Sequence, residues 1–425
     1  MARVTVLVMV MVVVMVWETR GQVNEVNSVG VRGSFITPTA RWLLGIFQKY
    51  DGRSNESTPD LIRSSGYPAE THHVTTEDGY ILELHRIPCG VQCVLTEEHR
   101  PRPVALLHHC LLCSSSDFVM NTPDKALAYM MADAGYDVWL TNARGNTYSR
   151  NHVHLSPEDK EFWQFSWNEM AMYDVPAVID YVLNVTRQED LYYVGFSMGT
   201  TVFWAMMSER PEYANKIRFM VALGPVAHVQ HIAGPLGYLA PFVSQIEITM
   251  NLLGKYELLS FGPVIDRLIS TFCNEQLFTS AICQNILFLI CGPNPKEMNK
   301  EFLPIMLSHT PAGTSVRTVT HYLQEARSGK FQKYDFGTLG NLRQYGSLSP
   351  PSYNLSRVTV PVALFWSDND WLADPTDVLH LVGQLPHVVY SHRVEDSKFT
   401  HLDFVWALHA DKLVYHDLLR VLAQY

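Results

Sequence analysis

One serine of this 425-residue chain has neighbours that suit nucleophilic chemistry. In the segment LYYVGFSMGTT, the run Leu191–Val194 predicts a buried strand, and Thr200–Met207 predicts a helix. Between them, Gly195-Phe196-Ser197-Met198-Gly199 matches G-x-S-x-G, a strand-to-helix turn in which small residues on both sides prevent clashes. Such a turn lifts the hydroxyl above the sheet edge and directs helix N-terminal amides at a developing oxyanion. We expect Ser197 to be a nucleophile, although a glycine-rich turn with an idle serine has the same pattern.

A serine nucleophile needs an acid and a base, and on this topology they follow it in the order acid, then histidine. The strand predicted at Pro361–Trp366 precedes three candidate acids, Asp368, Asp370 and Asp374. Asp374 stands before a proline and could instead cap a helix. Asp368 lies nearest to the strand end, and position alone favours Asp370 without excluding the other two.

The candidate base is His401, between a strand predicted at His387–Asp396 and a final helix. A histidine there can reach over the sheet edge towards Ser197. His387 and His392 lie before or within that strand, and His409 lies inside the predicted final helix. These three histidines are therefore weaker candidates.

The oxyanion formed during acyl transfer needs two amide donors. One is expected from Met198, which follows the nucleophile. The strand predicted at Pro103–Leu107 runs into His108-His109-Cys110-Leu111-Leu112, and the amide of Leu111 is the best second donor. The two adjacent histidines could suggest a metal site, but no third ligand is evident, so neither a metal nor a cofactor is expected.

The elements around these residues alternate between strand and helix. A β-hairpin is predicted around Glu77-Asp78-Gly79, a helix at Ala126–Ala134, a strand at Asp137–Leu140 and a helix over residues 170–186. Alternation of this kind is typical of a parallel α/β sheet. It stops after Gly224, where residues 228–340 predict a mostly helical insertion, and it resumes near residue 358.

Composition and the N-terminus narrow the function classes. A formal charge of −10 disfavours a nucleic-acid partner. The apolar run Val4–Trp17 is too short to span a membrane and predicts a signal peptide over residues 1–21. A secreted chain could form disulfides between some of its seven cysteines. It could also carry glycans at its three Asn-x-Ser/Thr sites, Asn55, Asn184 and Asn354.

Several long motifs, in the same order, resemble the acid lipase family. They include GYPAETHHVTTEDGYILELHRIP, NARGNTYSRNHVHLSPEDKEFW, LYYVGFSMGTT and DWLADPTDV followed by HLDFVWALHA. The resemblance implies an α/β-hydrolase fold, with core residues 22–227 and 341–425 and a cap at 228–340. It also implies a lid around Phe261–Gly292.

The resemblance further implies roles for individual residues. It implies a triad of Ser197, Asp370 and His401, a cap disulfide Cys273–Cys283, and a free Cys291. The implied function is hydrolysis of neutral lipid esters, triacylglycerol or cholesteryl ester, at a lipid-water interface, with an acidic optimum. The predicted signal peptide, not the resemblance, indicates the secretory pathway as the destination, either outside the cell or in the lysosome, with no stable membrane span.

Three residues depart from the family pattern. Phe196 and Met198 replace the histidine and glutamine of the family's G-H-S-Q-G turn, and Cys110 takes the glycine position of its His-Gly-Leu loop. A positive φ at Cys110 would cost about 1 kcal/mol, and a bridge to Cys113 is conceivable. A weakened lipid-binding protein on the same scaffold, or a general carboxylesterase, is therefore the alternative.

Overall fold

The computed structural model describes residue 53 and residues 56–92, 101–258, 291–299 and 302–425. Within these residues, nine strands form one sheet in the order β1-β2-β4-β3-β6-β7-β10-β11, with β5 paired to β2. Neighbouring strands from β4 to β11 run parallel, whereas β1, β2 and β5 pair antiparallel. A further pair, β8 and β9, lies outside this sheet. The strands are β1 Glu70–Thr75, β2 Tyr80–Ile87, β3 Val104–His108, β4 Asp137–Leu140, β5 Asn151–His152, β6 Leu191–Phe196, β7 Ile217–Leu223, β8 Glu257–Leu258, β9 Thr314–Ser315, β10 Val362–Trp366 and β11 Val388–Arg393.

Helices follow or connect most of these strands. Among the described residues no helix is both long and apolar enough to cross a membrane. The α-helices are α1 Thr58–Ser64, α2 Leu127–Asp133, α3 Trp167–Glu169, α4 Val175–Thr186, α5 Met198–Glu209, α6 Gly234–Leu239, α7 Val243–Leu252, α8 Leu303–His309, α9 Val316–Ser328, α10 Thr338–Tyr345, α11 Pro375–Gln384, α12 Asp403–Trp406 and α13 His416–Leu422.

The alternating pattern is confirmed where it was clearest. The hairpin around Glu77-Asp78-Gly79 forms between β1 and β2, and Gly79 takes φ +96° in its turn. The apolar runs that become β3 and β6 are buried along their whole length. Two large apolar clusters cover the two faces of the sheet, one containing Leu107 and Val194 and the other Leu106 and Tyr193. Burial on both faces explains why these strands are continuously apolar.

The sequence pattern missed three features. It did not predict β7, although its run IRFMVAL is nearly all buried, and it did not predict the short β8–β9 pair within the helical insertion. The single final helix is wrong, because the chain leaves helical geometry after Trp406. There Ala407 bridges Met298, and the amide of Leu408 donates to the carbonyl of Glu297. Pairing with a distant segment thus replaces local helical bonds.

The strand order reverses at the centre of the sheet. From β3 the chain moves to β4 on one side, and then returns to β6 on the other side of β3. In open α/β sheets, such a switch point leaves a crevice beyond the carboxyl ends of the two strands. The loop after β3 and the turn after β6 both border this crevice.

Candidate active site

The turn after β6 holds Ser197 in a conformation that few residues adopt. Its φ is +54° and its ψ is −114°, and its amide donates to the carbonyl of Leu223 at 3.0 Å. A Cβ on Gly195 would lie 2.8 Å from the backbone of Gly199, and one on Gly199 would lie 2.2 Å from the carbonyl oxygen of His108. Only glycine fits at both positions, and the strained backbone at Ser197 is the kind found at functional sites.

The loop after β10 presents Asp370 to His401. One carboxylate oxygen of Asp370 accepts hydrogen bonds from the amides of Leu372 and Ala373, at 2.9 and 2.8 Å. The other oxygen accepts from Nδ1 of His401 at 2.7 Å. Both side chains are almost wholly buried. Because a carboxylate can only accept, Nδ1 carries the proton and Nε2 presents its lone pair.

His401 and Ser197 are not hydrogen-bonded to each other in this structure. Nε2 of His401 is buried and has no hydrogen-bond partner among the described residues, so no bond joins it to the hydroxyl of Ser197. The imidazole nevertheless lies next to the turn that carries Ser197, with its ring centre 5.2 Å from that of Phe196. Catalytic hydrogen bonds are often long or misaligned before substrate binds.

Two glycines make room around this histidine and its acid. A Cβ on Gly224 would lie 3.1 Å from the ring of His401, and Gly224 takes φ +51°. A Cβ on Gly292, at φ +101°, would lie 2.6 Å from the carbonyl of Asn369. The described insertion segment around Gly292 therefore packs directly against the loop that carries Asp370.

The loop after β3 is shaped by His109. Nδ1 of His109 donates to the carbonyl of Cys110 at 2.7 Å, and Nε2 accepts from the amide of Ala143 at 3.0 Å. A carbonyl only accepts and an amide N–H only donates, so these bonds require the neutral ring. Burial lowers the pKa of His109 from 6.5 to about 4, which agrees with the bonding. This ring ties the loop after β3 to the loop after β4.

The amides of Leu111 and Met198 border the same crevice. Met198 is the first residue of α5, where an amide has no acceptor within its own helix. Within the described chain, neither amide donates to a protein acceptor. Neither amide is therefore occupied by a protein acceptor.

The backbone at Cys110 does not have the positive φ that would make a side chain there unfavourable. Cys110 is not among the residues with positive φ, so its Cβ carries no such strain; Leu112 instead takes φ +62°. The carbonyl of Leu112 accepts from the amide of Ala312 at 2.6 Å. Cys110 and Cys113 form a disulfide across the turn.

The competing side chains have other partners. Asp374 accepts from the amide of Thr376 and caps α11, as its alternative interpretation predicts. Asp368 forms an exposed ion pair with Arg393. His409 lies in the break after α12, not inside a helix as predicted, and contacts Glu297. Of the three candidate aspartates, only Asp370 contacts His401.

The sequence reasoning missed a buried arginine beside the crevice. Arg144, 1% exposed, donates to Asp174 at 2.8 Å through Nε and to Asp78 at 2.6 Å through Nη1. Through Asp78 the arginine anchors the loop after β4 to the hairpin, and through Asp174 it anchors that loop to the start of α4. Its signal was the segment NARGN directly after a buried strand, because a charge is tolerated there only with partners.

Two of the three predicted glycosylation sites, and one of the three cap cysteines, lie within the described residues. Asn184 and Asn354 are exposed, whereas Asn55 lies outside the described residues. The predicted pair Cys273–Cys283 and nearly all of the lid range also lie outside them. Cys291 is a buried free thiol.

The neutral state of His109 predicts a pH-dependent stability. An unfolded histidine binds a proton below pH 6.5 and the folded one only near pH 4, so its contribution is complete above pH 6.5 and is lost as the pH falls towards 4. We expect the stability advantage of the wild type over His109→Gln to shrink by about 3 kcal/mol between pH 7 and pH 4. Urea unfolding of both proteins at several pH values measures this, and a constant difference would contradict it.

Family models identify the class to which this fold and site belong. Residues 58–122 match the family described as a partial α/β-hydrolase lipase region, and residues 103–408 match the α/β-hydrolase fold. The second match covers well over half of the chain. The chain therefore belongs to the α/β-hydrolase family.

Curated relatives narrow the class further. Lipase lipl-1 of Caenorhabditis elegans is 42% identical over 376 residues, covering 87% of this chain and 92% of that protein. Lipase 3 of Drosophila melanogaster is 43% identical over 86% of this chain and 92% of that protein. Human gastric triacylglycerol lipase is 39% identical over 89% and 95%. The resemblance to the acid lipases is confirmed, and the chain is a carboxylic ester hydrolase of this lipase family.

A solved structure agrees at the level of the fold. A candidate lipase from Sulfolobus solfataricus superposes with a TM-score of 0.54 at 16% identity, covering 84% of this chain and 94% of that one. The likeness supports the α/β-hydrolase architecture alone.

Proposed function

We propose that this protein hydrolyses esters of neutral lipids with Ser197, His401 and Asp370 as its catalytic residues. The observation that carries the proposal is the buried 2.7 Å bond between His401 and Asp370 beside the strained turn of Ser197. The bond gives the imidazole a fixed tautomer, and the turn raises the hydroxyl at the strand switch point. This combination is what acyl transfer through a serine requires.

The reaction proceeds in two steps. Nε2 of His401 takes the proton of the Ser197 hydroxyl as the oxygen attacks the ester carbonyl, and Asp370 stabilises the imidazolium. The imidazolium then protonates the leaving alcohol, which leaves an acyl group on Ser197. Water, activated by the same ring, releases the fatty acid and restores the serine. The open distance between Nε2 and the hydroxyl must close when substrate binds.

The amides of Leu111 and Met198 bind the oxyanion of each tetrahedral intermediate in this proposal. Both are free of protein acceptors in the described chain, and the loop that carries Leu111 packs against α5 where the carbonyl of His108 meets Gly199. Losing one such donor typically lowers kcat by about 10²- to 10³-fold.

The proposed substrate is triacylglycerol or cholesteryl ester at a lipid-water interface. A gastric triacylglycerol lipase among the relatives supports this class. Apolar side chains also project from the described helices of the insertion, where Tyr238, Phe242, Ile248 and Leu252 are all at least 46% exposed. Such a surface suits contact with lipid better than contact with water.

The proposed destination is the secretory pathway, outside the cell or in the lysosome. The apolar run Val4–Trp17 after a basic Arg3 supports a signal peptide over residues 1–21. The disulfide between Cys110 and Cys113 is compatible with an oxidising compartment. Exposed Asn184 and Asn354 are proposed glycan sites, together with Asn55.

Covalent labelling tests the catalytic proposal. We expect a fluorophosphonate probe to label the wild type at Ser197, and Ser197→Ala to lose both the label and at least about 10⁴-fold of the esterase activity. Because alanine, like serine, has a Cβ, the substitution places no new demand on the backbone and the fold should be kept. Thermal unfolding of both proteins checks this. Lipid binding without labelling would instead favour the weakened lipid-binding protein.

A comparison of substrates tests the lipid specificity. We expect higher rates on emulsified trioctanoin or cholesteryl oleate than on an ester such as p-nitrophenyl acetate below its solubility limit. A preference for the monomeric ester would favour a general carboxylesterase. The same panel, measured from pH 4 to pH 7, locates the optimum.

A further inference from the structure

The loop after β3 is closed by a covalent bridge beside the proposed oxyanion site. Cys110 and Cys113 form a disulfide, and both are buried at 3% exposure or less. The two residues between them, Leu111 and Leu112, form the tip of the turn and are partly exposed. The bridge therefore encloses the residue whose amide is the proposed second oxyanion donor.

Three hydrogen bonds restrain the same turn. Inside it, the amide of Cys113 donates to the carbonyl of Cys110 at 3.2 Å. Leu112 takes φ +62°, a conformation disfavoured for a residue with a Cβ unless its surroundings hold it. From outside, His109 holds the carbonyl of Cys110, and the amide of Ala312 holds the carbonyl of Leu112. Because the Cys110–Leu111 peptide bond is planar, the bonds to the Cys110 carbonyl also constrain the direction of the Leu111 amide. The disulfide is the covalent restraint that keeps the turn closed around these bonds.

The bridge lies close to the nucleophile. In the parallel register of β3 and β6, His108 stands opposite Gly195. Leu111 follows His108 by three residues, and Ser197 follows Gly195 by two, so both leave the sheet at the same edge. The carbonyl of His108 is in such close contact with Gly199 that no Cβ fits between them. A change in the direction of this loop would change the position of the Leu111 amide relative to Ser197.

We propose that the Cys110–Cys113 disulfide positions the Leu111 amide for the oxyanion and thereby sets kcat. The inference rests on the proposed function, because an oxyanion donor has meaning only if Ser197 forms an acyl intermediate. In this role the two cysteines are positioning residues, since neither touches the substrate. Cross-linking residues 110 and 113 removes the turn conformations in which the amide of Leu111 points elsewhere.

A double-mutant cycle on a soluble ester tests this role. We expect Cys110→Ala, Cys113→Ala and the double variant each to lower kcat by about 10- to 100-fold, part of the loss expected when an oxyanion donor is removed. KM should stay within about threefold. The three losses should be equal, because either single substitution already breaks the bridge. Losses that multiply in the double variant would indicate two separate packing effects and would overturn the proposal.

Two controls separate turnover from folding. Titration with the fluorophosphonate counts active molecules, so kcat is expressed per folded enzyme. Cys89→Ala removes a different disulfide cysteine, in the turn after β2. It should lower thermal stability without lowering kcat more than about twofold. An equal loss of kcat in this control, or bridge variants that fail to fold while it folds, would assign the 110–113 bridge to folding and overturn the proposal.

The wild type separates this inference from the proposed function. If wild-type protein shows no labelling or hydrolysis that depends on Ser197, the proposed function fails and takes this inference with it. If that activity is present and the bridge variants keep kcat within twofold, only the positioning role fails.

Discussion

Asp370→Asn is expected to lower kcat by about 10⁴-fold while the protein stays folded. The side-chain oxygen of the new asparagine can still accept from the amides of Leu372 and Ala373, as the aspartate does now. Its NH₂ group then faces Nδ1 of His401, where a carboxylate oxygen now accepts a hydrogen bond. Because an amide NH₂ can only donate, the ring must carry its proton on Nε2. That tautomer cannot take the proton of Ser197.

The neighbouring aspartates serve as matched controls for this variant. Asp368→Asn removes an exposed ion pair with Arg393 and should leave kcat within about twofold, because such pairs contribute little. Asp374→Ala removes the cap of α11 and should cost about 1 kcal/mol of stability without lowering kcat. Steady-state kinetics and thermal unfolding of all three variants decide the assignment. Normal kcat in Asp370→Asn would remove Asp370 from the catalytic residues.

Gly199→Ala is expected to have the largest effect on stability, at about 3 kcal/mol or more. The added Cβ would lie 2.2 Å from the carbonyl oxygen of His108 and 2.8 Å from its carbonyl carbon. Both are backbone atoms within or next to a buried strand, so no flexible side chain can move aside. Relief requires α5 to separate from the end of β3, which also moves Ser197 away from the loop after β3. Esterase activity should therefore fall together with stability.

A second glycine provides the control for this substitution. Gly383 lies near the end of α11, is exposed and has open space where a Cβ would stand. Gly383→Ala should raise stability by about 0.5 kcal/mol, because alanine favours the helix. Urea unfolding of both variants gives the comparison. A loss below about 1 kcal/mol for Gly199→Ala would show that the turn has more room than its backbone distances indicate.

Local patterns in the sequence were sufficient to predict the strand-to-helix turn at Ser197 and most of the strands near it. A strand buried on both faces needs a continuous apolar run, and a turn as tight as that at Ser197 needs Gly195 and Gly199. The apolar run and the contact of Gly195 with Gly199 involve residues close together in the chain, so they can be read without the fold. The contact of Gly199 with the carbonyl of His108 is not local and appears only in the structure. The order Ser197, Asp370, His401 came instead from the chain order that this topology imposes, and the catalytic roles of the three remain a proposal.

Contacts between distant segments were decided only by the tertiary structure. Position in the sequence did not decide which of three aspartates is the partner of His401. The contact that decides it joins Asp370 to His401, 31 positions apart. The break after Trp406 arises because residues 297 and 298 pair with it. The positive φ falls on Leu112 and not on Cys110, in a loop held by Ala312 and by the disulfide. Each outcome depends on a partner that local propensity cannot specify, because the energy of such a contact exists only once the fold brings the two segments together.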